Sequence, residues 1–158
     1  MKVTSITAFV FFLGITVWAA EKKTGVEEDG YNGRVKSVKV SEFKIEEKFG
    51  KPVRVSGSIK STYKYDEKGN EVETVFYDAS GKISRKRTMK YDVKGNGVET
   101  VFYDGNGKIR DKYTYKYDEK GNEVETVFYD ASGKVTDKLT YKYDEKDNKA
   151  ETVEYDAR

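Results

Sequence analysis

The chain has no cysteine and no histidine among its 158 residues, and only one proline and one tryptophan. The first two absences exclude a disulfide, a thiolate or imidazole metal site, a Ser-His-Asp or Cys-His nucleophile and an acylated lipoprotein cysteine. An excess of one charge is also missing, since 30 Lys plus Arg stand against 28 Asp plus Glu. Long-range attraction to nucleic acid or to an anionic membrane is therefore not expected. Apolar residues are scarce as well. A hydrophobic fraction of 36% beside a charged fraction of 37% falls below the roughly 45 to 50% usual in globular domains, so one domain without a thick core is expected.

The only long apolar run lies at the start, in MKVTSITAFVFFLGITVWAA. One Lys followed by an uncharged stretch and small residues has the form of a secretory signal peptide. Cleavage after Ala19 places Val17 and Ala19 at the two positions that prefer small or modest side chains, whereas cleavage after Ala20 would place Trp18 there. The stretch also sits at the lower limit of a spanning helix, but its short positive flank favours cleavage. The expected organisation is a signal peptide over 1–19, a polar, flexible lead-in over 20–33 and a β-hairpin repeat domain over 34–158. The expected location is secreted or periplasmic, with no membrane attachment after cleavage.

What the sequence does have is a repeat. Tyr-Asp recurs at 65, 77, 91, 103, 117, 129, 143 and 155, with spacings that alternate between 12 and 14. The unit is a 26-residue double repeat, and Tyr63 to Lys82 returns letter for letter at Tyr115 to Lys134. Each Tyr-Asp but the last opens a turn such as Asp66-Glu67-Lys68-Gly69 or Asp144-Glu145-Lys146-Asp147. Asp at the first position can bond the backbone two residues on, and the fourth position needs the positive φ that Gly supplies and Asp147 tolerates. A calcium loop is the sharper reading of these carboxylates, but it needs more oxygen ligands than one turn provides.

The segments between turns are rich in Val, Thr, Tyr and Phe and alternate strictly, as strands do. With two further strands upstream, over 34–47 and 53–65 and joined through Phe49 to Pro52, the reading is all-β: an antiparallel meander of about nine strands built from 26-residue double hairpins. If each turn pairs its first Asp with the residue four later, paired residues share parity, and all odd-numbered residues lie on one face. That face would set Glu73 opposite Arg87 and hold the 12 of 13 tyrosines that lie in the strands, while the even face would set Val72, Thr74 and Phe76 beside Lys86, Thr88 and Lys90. Two architectures follow, a single twisted, curled sheet or a closed up-and-down barrel with tyrosines inside. The charges on the odd face disfavour a dry interior and hence the barrel.

Tyr63-Lys64-Tyr65-Asp66-Glu67-Lys68-Gly69-Asn70, repeated at Tyr115 to Asn122, resembles the YD repeat of the Rhs family of secreted bacterial proteins. The resemblance covers roughly residues 63–156 and implies curling sheets of hairpins at a bacterial surface. This chain departs from the family in carrying two Tyr-Asp pairs per unit and neither the length nor the toxic domain of a cargo shell. Its composition is also similar to the single-layer sheet of spirochaete outer-surface lipoproteins, although the lipid-bearing cysteine is absent.

For function, the sequence offers a surface and no catalytic apparatus. The carboxylate pairs recur in every repeat, whereas catalysis normally breaks a repeat's symmetry, so no enzyme, cofactor or metal site is expected. A non-enzymatic scaffold for a glycan or protein ligand is expected instead. Its candidate patch is Tyr113, Tyr115, Tyr117, Tyr141 and Tyr143, with Val127 and Tyr129 continuing the surface between the two strands. The alternative is a structural, self-associating surface protein adding strands edge to edge. Lys149, Ala150 and Glu154 replace the repeated Glu, Val and Phe in the last unit, which reads as a capped edge. The sequence specifies no oligomeric state.

Overall fold

The computed structural model describes Gly30, Tyr31 and residues 34–156; the expected signal peptide and most of the lead-in lie outside the described residues. The described chain forms one nine-stranded antiparallel sheet in sequence order. Its strands are β1 (Ser37–Lys48), β2 (Lys51–Tyr65), β3 (Glu71–Tyr77), β4 (Ile83–Tyr91), β5 (Gly97–Asp104), β6 (Ile109–Tyr117), β7 (Glu123–Tyr129), β8 (Val135–Tyr143) and β9 (Lys149–Asp156). β1 and β9 are both edges, so the sheet is open and the barrel is excluded.

The turns follow the local chemistry of Asp and Gly. Asp66 Oδ1 accepts the backbone N–H groups of Lys68 and Asn70 at 2.8 and 2.9 Å, and its Oδ2 accepts Asn70 Nδ2 at 3.0 Å. Gly69, Gly95 and Gly121 take φ values of 82°, 83° and 93°, and Asp147 fills the same place at 59°. The β1–β2 connection differs from the expectation: only Phe49 and Gly50 form it, both at positive φ, the signature of a two-residue type I′ hairpin. Pro52 lies inside β2 opposite Glu47, tolerated because β2 has no partner on its other side there among the described residues.

The expected parity is overturned. In the β2–β3 hairpin Tyr65 pairs with Glu71, but the next pair is Lys64 with Glu73, so Val72 is an extra residue. The same bulge adds Ser84 to β4, Val98 to β5, Arg110 to β6, Val124 to β7, Thr136 to β8 and Ala150 to β9. Each extra residue flips the alternation of its strand beyond the bulge. Odd residues of β4, β6 and β8 consequently share a face with even residues of β3, β5 and β7. Arg87 faces Thr74 rather than Glu73, and Glu73 faces Thr88. The tyrosines divide: Tyr113 and Tyr115 lie on one face, and Tyr103 and Tyr129, capped by Lys86 and Lys112 Nζ at 4.3 and 4.2 Å from their ring centres, on the other.

With no second layer among the described residues, burial comes from neighbours within the sheet. Thr74, between Tyr63 and Arg87, is 0% exposed, and Thr100 and Thr126 occupy the equivalent buried places. A small side chain on a short strand is covered by long ones leaning over it from both sides. The second face repeats an ion pair instead, Lys64–Glu73, Lys90–Glu99, Lys116–Glu125 and Lys142–Glu151, each at 2.7 Å. Lysine stems thus cover Tyr and Glu partners there, rather than the Val-Thr-Phe rows that strict parity predicts.

Candidate functional site

The bulges decide which side chains meet on the aromatic face. Register opposes Phe102 to Asp111, and Tyr113 to Thr100 and Phe128. The Tyr113 ring lies 5.0 Å from Phe102 and 4.8 Å from Phe128, tilted by 56° and 68°. Such edge-to-face contacts contribute beyond area burial by about 0.5 to 1.5 kcal/mol each. The three rings form a row across β5, β6 and β7, half-buried on the sheet and covered by no other element of the described chain. Asp111, on β6 beside Tyr113, pairs with Phe102 and holds Arg110 at 3.0 Å, and Asp137, on β8, pairs with Phe128 at the end of the row.

The five tyrosines predicted as a patch do share this face, because all are odd residues of β6 and β8. Four of the five hydroxyls, those of Tyr115, Tyr117, Tyr141 and Tyr143, are committed within the sheet. Tyr117 donates to the Gly97 carbonyl and Tyr143 to the Glu123 carbonyl, each at 2.8 Å; Tyr91 repeats the contact with Glu71 at 2.7 Å. These carbonyls belong to the residues immediately before the bulges, so the tyrosine hydroxyls satisfy acceptors beside an interrupted ladder. Tyr115 donates to Thr100 Oγ1, and the Tyr141 hydroxyl meets that of Thr126, both at 3.5 Å. Burial pushes Tyr115 above its ordinary value despite the Thr100 contact. Burial, reinforced by the Glu123 carboxylate, pushes Tyr117 up to about 12.

Two predicted members of the surface are corrected. Val127 pairs with Thr114 and Lys138, and Tyr129 with Lys112, so both lie on the opposite face and continue nothing between Tyr115 and Tyr141. Thr126 and Phe128 stand there instead. Phe102 and Phe128 were not legible as site residues, because strict parity put them behind the tyrosines. The recurring Val-Phe-Tyr at the end of each short strand was their only signal.

The aromatic face also changes across the repeats. Where β6 carries Asp111, Tyr113 and Tyr115, β4 carries Arg85, Arg87 and Met89. Arg85 lies over the Phe76 ring at 4.2 Å, and Arg87 pairs with Glu71 at 2.7 Å. The aromatic row therefore begins beyond β4, where Arg85 and Arg87 give way to Asp111 and Tyr113. No protein-family model matches the sequence, and no curated protein resembles it significantly.

Proposed function

We propose that the protein is a non-enzymatic, exported repeat protein of the YD-repeat kind, secreted or periplasmic, whose aromatic face binds glycan chains. The observation that carries this reading is the uncovered row Phe102–Tyr113–Phe128 with Asp111 and Asp137 beside it. Flat aromatic faces stack on the apolar faces of sugar rings, and carboxylates accept hydrogen bonds from sugar hydroxyls. A row on adjacent strands, about 4.8 Å apart, suits an extended ligand lying across the strands. The tyrosines around it hold the platform, since their hydroxyls are engaged by the backbone and by threonines.

The test is a binding screen of the exported chain against cell-wall and extracellular polysaccharides. Tyr113→Ala should abolish retention with the far-ultraviolet spectrum unchanged. Tyr77→Ala with Tyr103→Ala, on the opposite face, should leave retention intact while lowering the melting temperature. Retention of no polysaccharide, or equal loss in both variants, sinks the reading.

A further inference from the structure

Beyond the aromatic face, the exposed side chain of the fold concentrates at the β1–β2 hairpin. β2 pairs with β3 only over Ser61–Tyr65, whereas β1 pairs with β2 from Ser37 to Lys48. The part of the hairpin from Ser41 to Ile59 therefore projects past the β3–β4 turn as a two-stranded arm, about 30 Å long at roughly 3.4 Å per residue. Phe43 is 46% exposed, Ile45 57% and Phe49 fully so. An isolated two-stranded ribbon is marginal in water, and the unpaired N–H and C=O groups of a long edge strand are a pairing site.

We infer that the edge of β1 pairs antiparallel with β1 of a second copy, about a twofold axis at Phe43. The irregularities of this hairpin fall between Val40 and Ser41 and between Lys44 and Ile45 in the pairing, and both extra residues, Lys60 and Val55, belong to β2. β1 itself alternates without interruption over its 12 residues. A twofold axis normal to the sheet keeps like faces together, so residues of equal parity must oppose each other. Centring the axis on Glu42 or on Lys44 sets like charges against each other at the axis. Centring it on Ile45 engages only the outer part of the strand and opposes Phe43 to Glu47. With the axis at Phe43, Lys39 meets Glu47 and Glu42 meets Lys44 of the other copy, each pair occurring twice, and the two Phe43 positions oppose each other on the face that Ile45 continues. The pairing uses nearly the whole strand and gives the arm the third strand it lacks. β9 offers no equivalent: it is shorter, and Glu151, Glu154 and Asp156 outweigh Lys149 along it.

The charge pair to test is Lys39–Glu47, because neither residue has a salt bridge within its own chain among the described residues. Sedimentation of the exported chain at micromolar concentration should give a dimer. Lys39→Glu alone and Glu47→Lys alone should each weaken it at least about tenfold, since each turns two attractive cross-strand pairs repulsive. Mixing the two variants should restore a heterodimer of normal affinity. Because the chain has no cysteine, Phe43→Cys should cross-link to a covalent dimer under mild oxidation, while Ile45→Cys should not. A monomer at these concentrations, a dimer indifferent to the charge reversals, or cross-linking through position 45 instead of 43 would each overturn the proposal.

Discussion

The repeat sheet from β3 to β9 and the β1–β2 arm are made of the same kind of strand, yet they are held differently. In the repeat sheet every interior strand has a neighbour on each side, and Thr74, Val75, Thr100, Val101 and Thr126 are buried without any second layer. In the arm, Phe43 has the Arg54 guanidinium 4.5 Å from its ring centre and the bare backbone of Gly57 beneath it, and it stays half exposed. A third strand, rather than a core, is what turns a ribbon of alternating side chains into a closed surface. Long side chains can cover a small one only when they approach from both sides.

The sharpest way to break this contrast is to add one methyl group to each region. A Cβ at Gly105 would come within 2.5 Å of the Ile83 carbonyl oxygen, a backbone atom that cannot move aside freely. Gly105→Ala should destabilise the sheet by about 1 to 3 kcal/mol, the usual range for overpacking, measured by thermal or urea unfolding. At Gly57 a Cβ would overlap the Phe43 ring, a side chain that can swing into solvent. Gly57→Ala should therefore leave global unfolding within error and show itself only as faster amide exchange in the arm. A global loss at Gly57 equal to that at Gly105 would mean that the arm is part of the cooperative unit.

A smaller effect is expected at the turns. Gly121 has φ of 93°, a conformation costing a β-branched L-residue on the order of 1 to 2 kcal/mol, so Gly121→Val should lower stability by about that much. Its neighbour Lys120 reaches Asp147 Oδ1 at 2.7 Å, one of a series in which Lys68 and Lys94 reach the Val93 and Glu119 carbonyls of the next turn at 3.3 Å. These contacts are exposed, and Lys120→Ala should change the unfolding midpoint far less than Gly121→Val. Equal effects would contradict the turn assignment.

The smallest expected signal is the dependence on pH. The backbone N–H of Asn96 holds Asp92 below its ordinary value of 3.8, and that of Asn122 does the same for Asp118. A lowered folded value means that this stabilisation is complete above the unfolded pKa and is lost as pH falls through the folded one. Tyr117 is the opposite case: its raised value preserves stability below pH 10 and loses it as pH rises from 10.0 to about 12. Unfolding midpoints should therefore fall below about pH 4 and again above pH 10. Asp118→Asn should flatten the acid limb, and Tyr117→Phe the alkaline one. A wild-type midpoint that stays constant from pH 10 to 12 would remove the account given for Tyr117.

What the sequence determined by itself is what one hairpin can decide locally. Asp-x-x-Gly specifies a turn because its hydrogen bonds and its positive φ lie within five residues, and regular turns fix the number, order and direction of the strands. The shared face of Tyr113, Tyr115, Tyr117, Tyr141 and Tyr143 was also legible, since residues of like parity on β6 and β8 stay together under either register. What only the tertiary structure decided is the extra residue in each second strand. Val72, Ser84, Val98 and Arg110 have no common chemistry that marks them as bulges; beside Val72, Val98 and Val124 a neighbouring strand brings the hydroxyl of Tyr91, Tyr117 or Tyr143 to the adjoining carbonyl, a contact that exists only once the sheet has formed. A single unmarked residue exchanges the two faces of a strand, because the side-chain period in a sheet is two. That exchange moved Phe102 and Phe128 beside Tyr113 and sent Tyr103 and Tyr129 to the lysines.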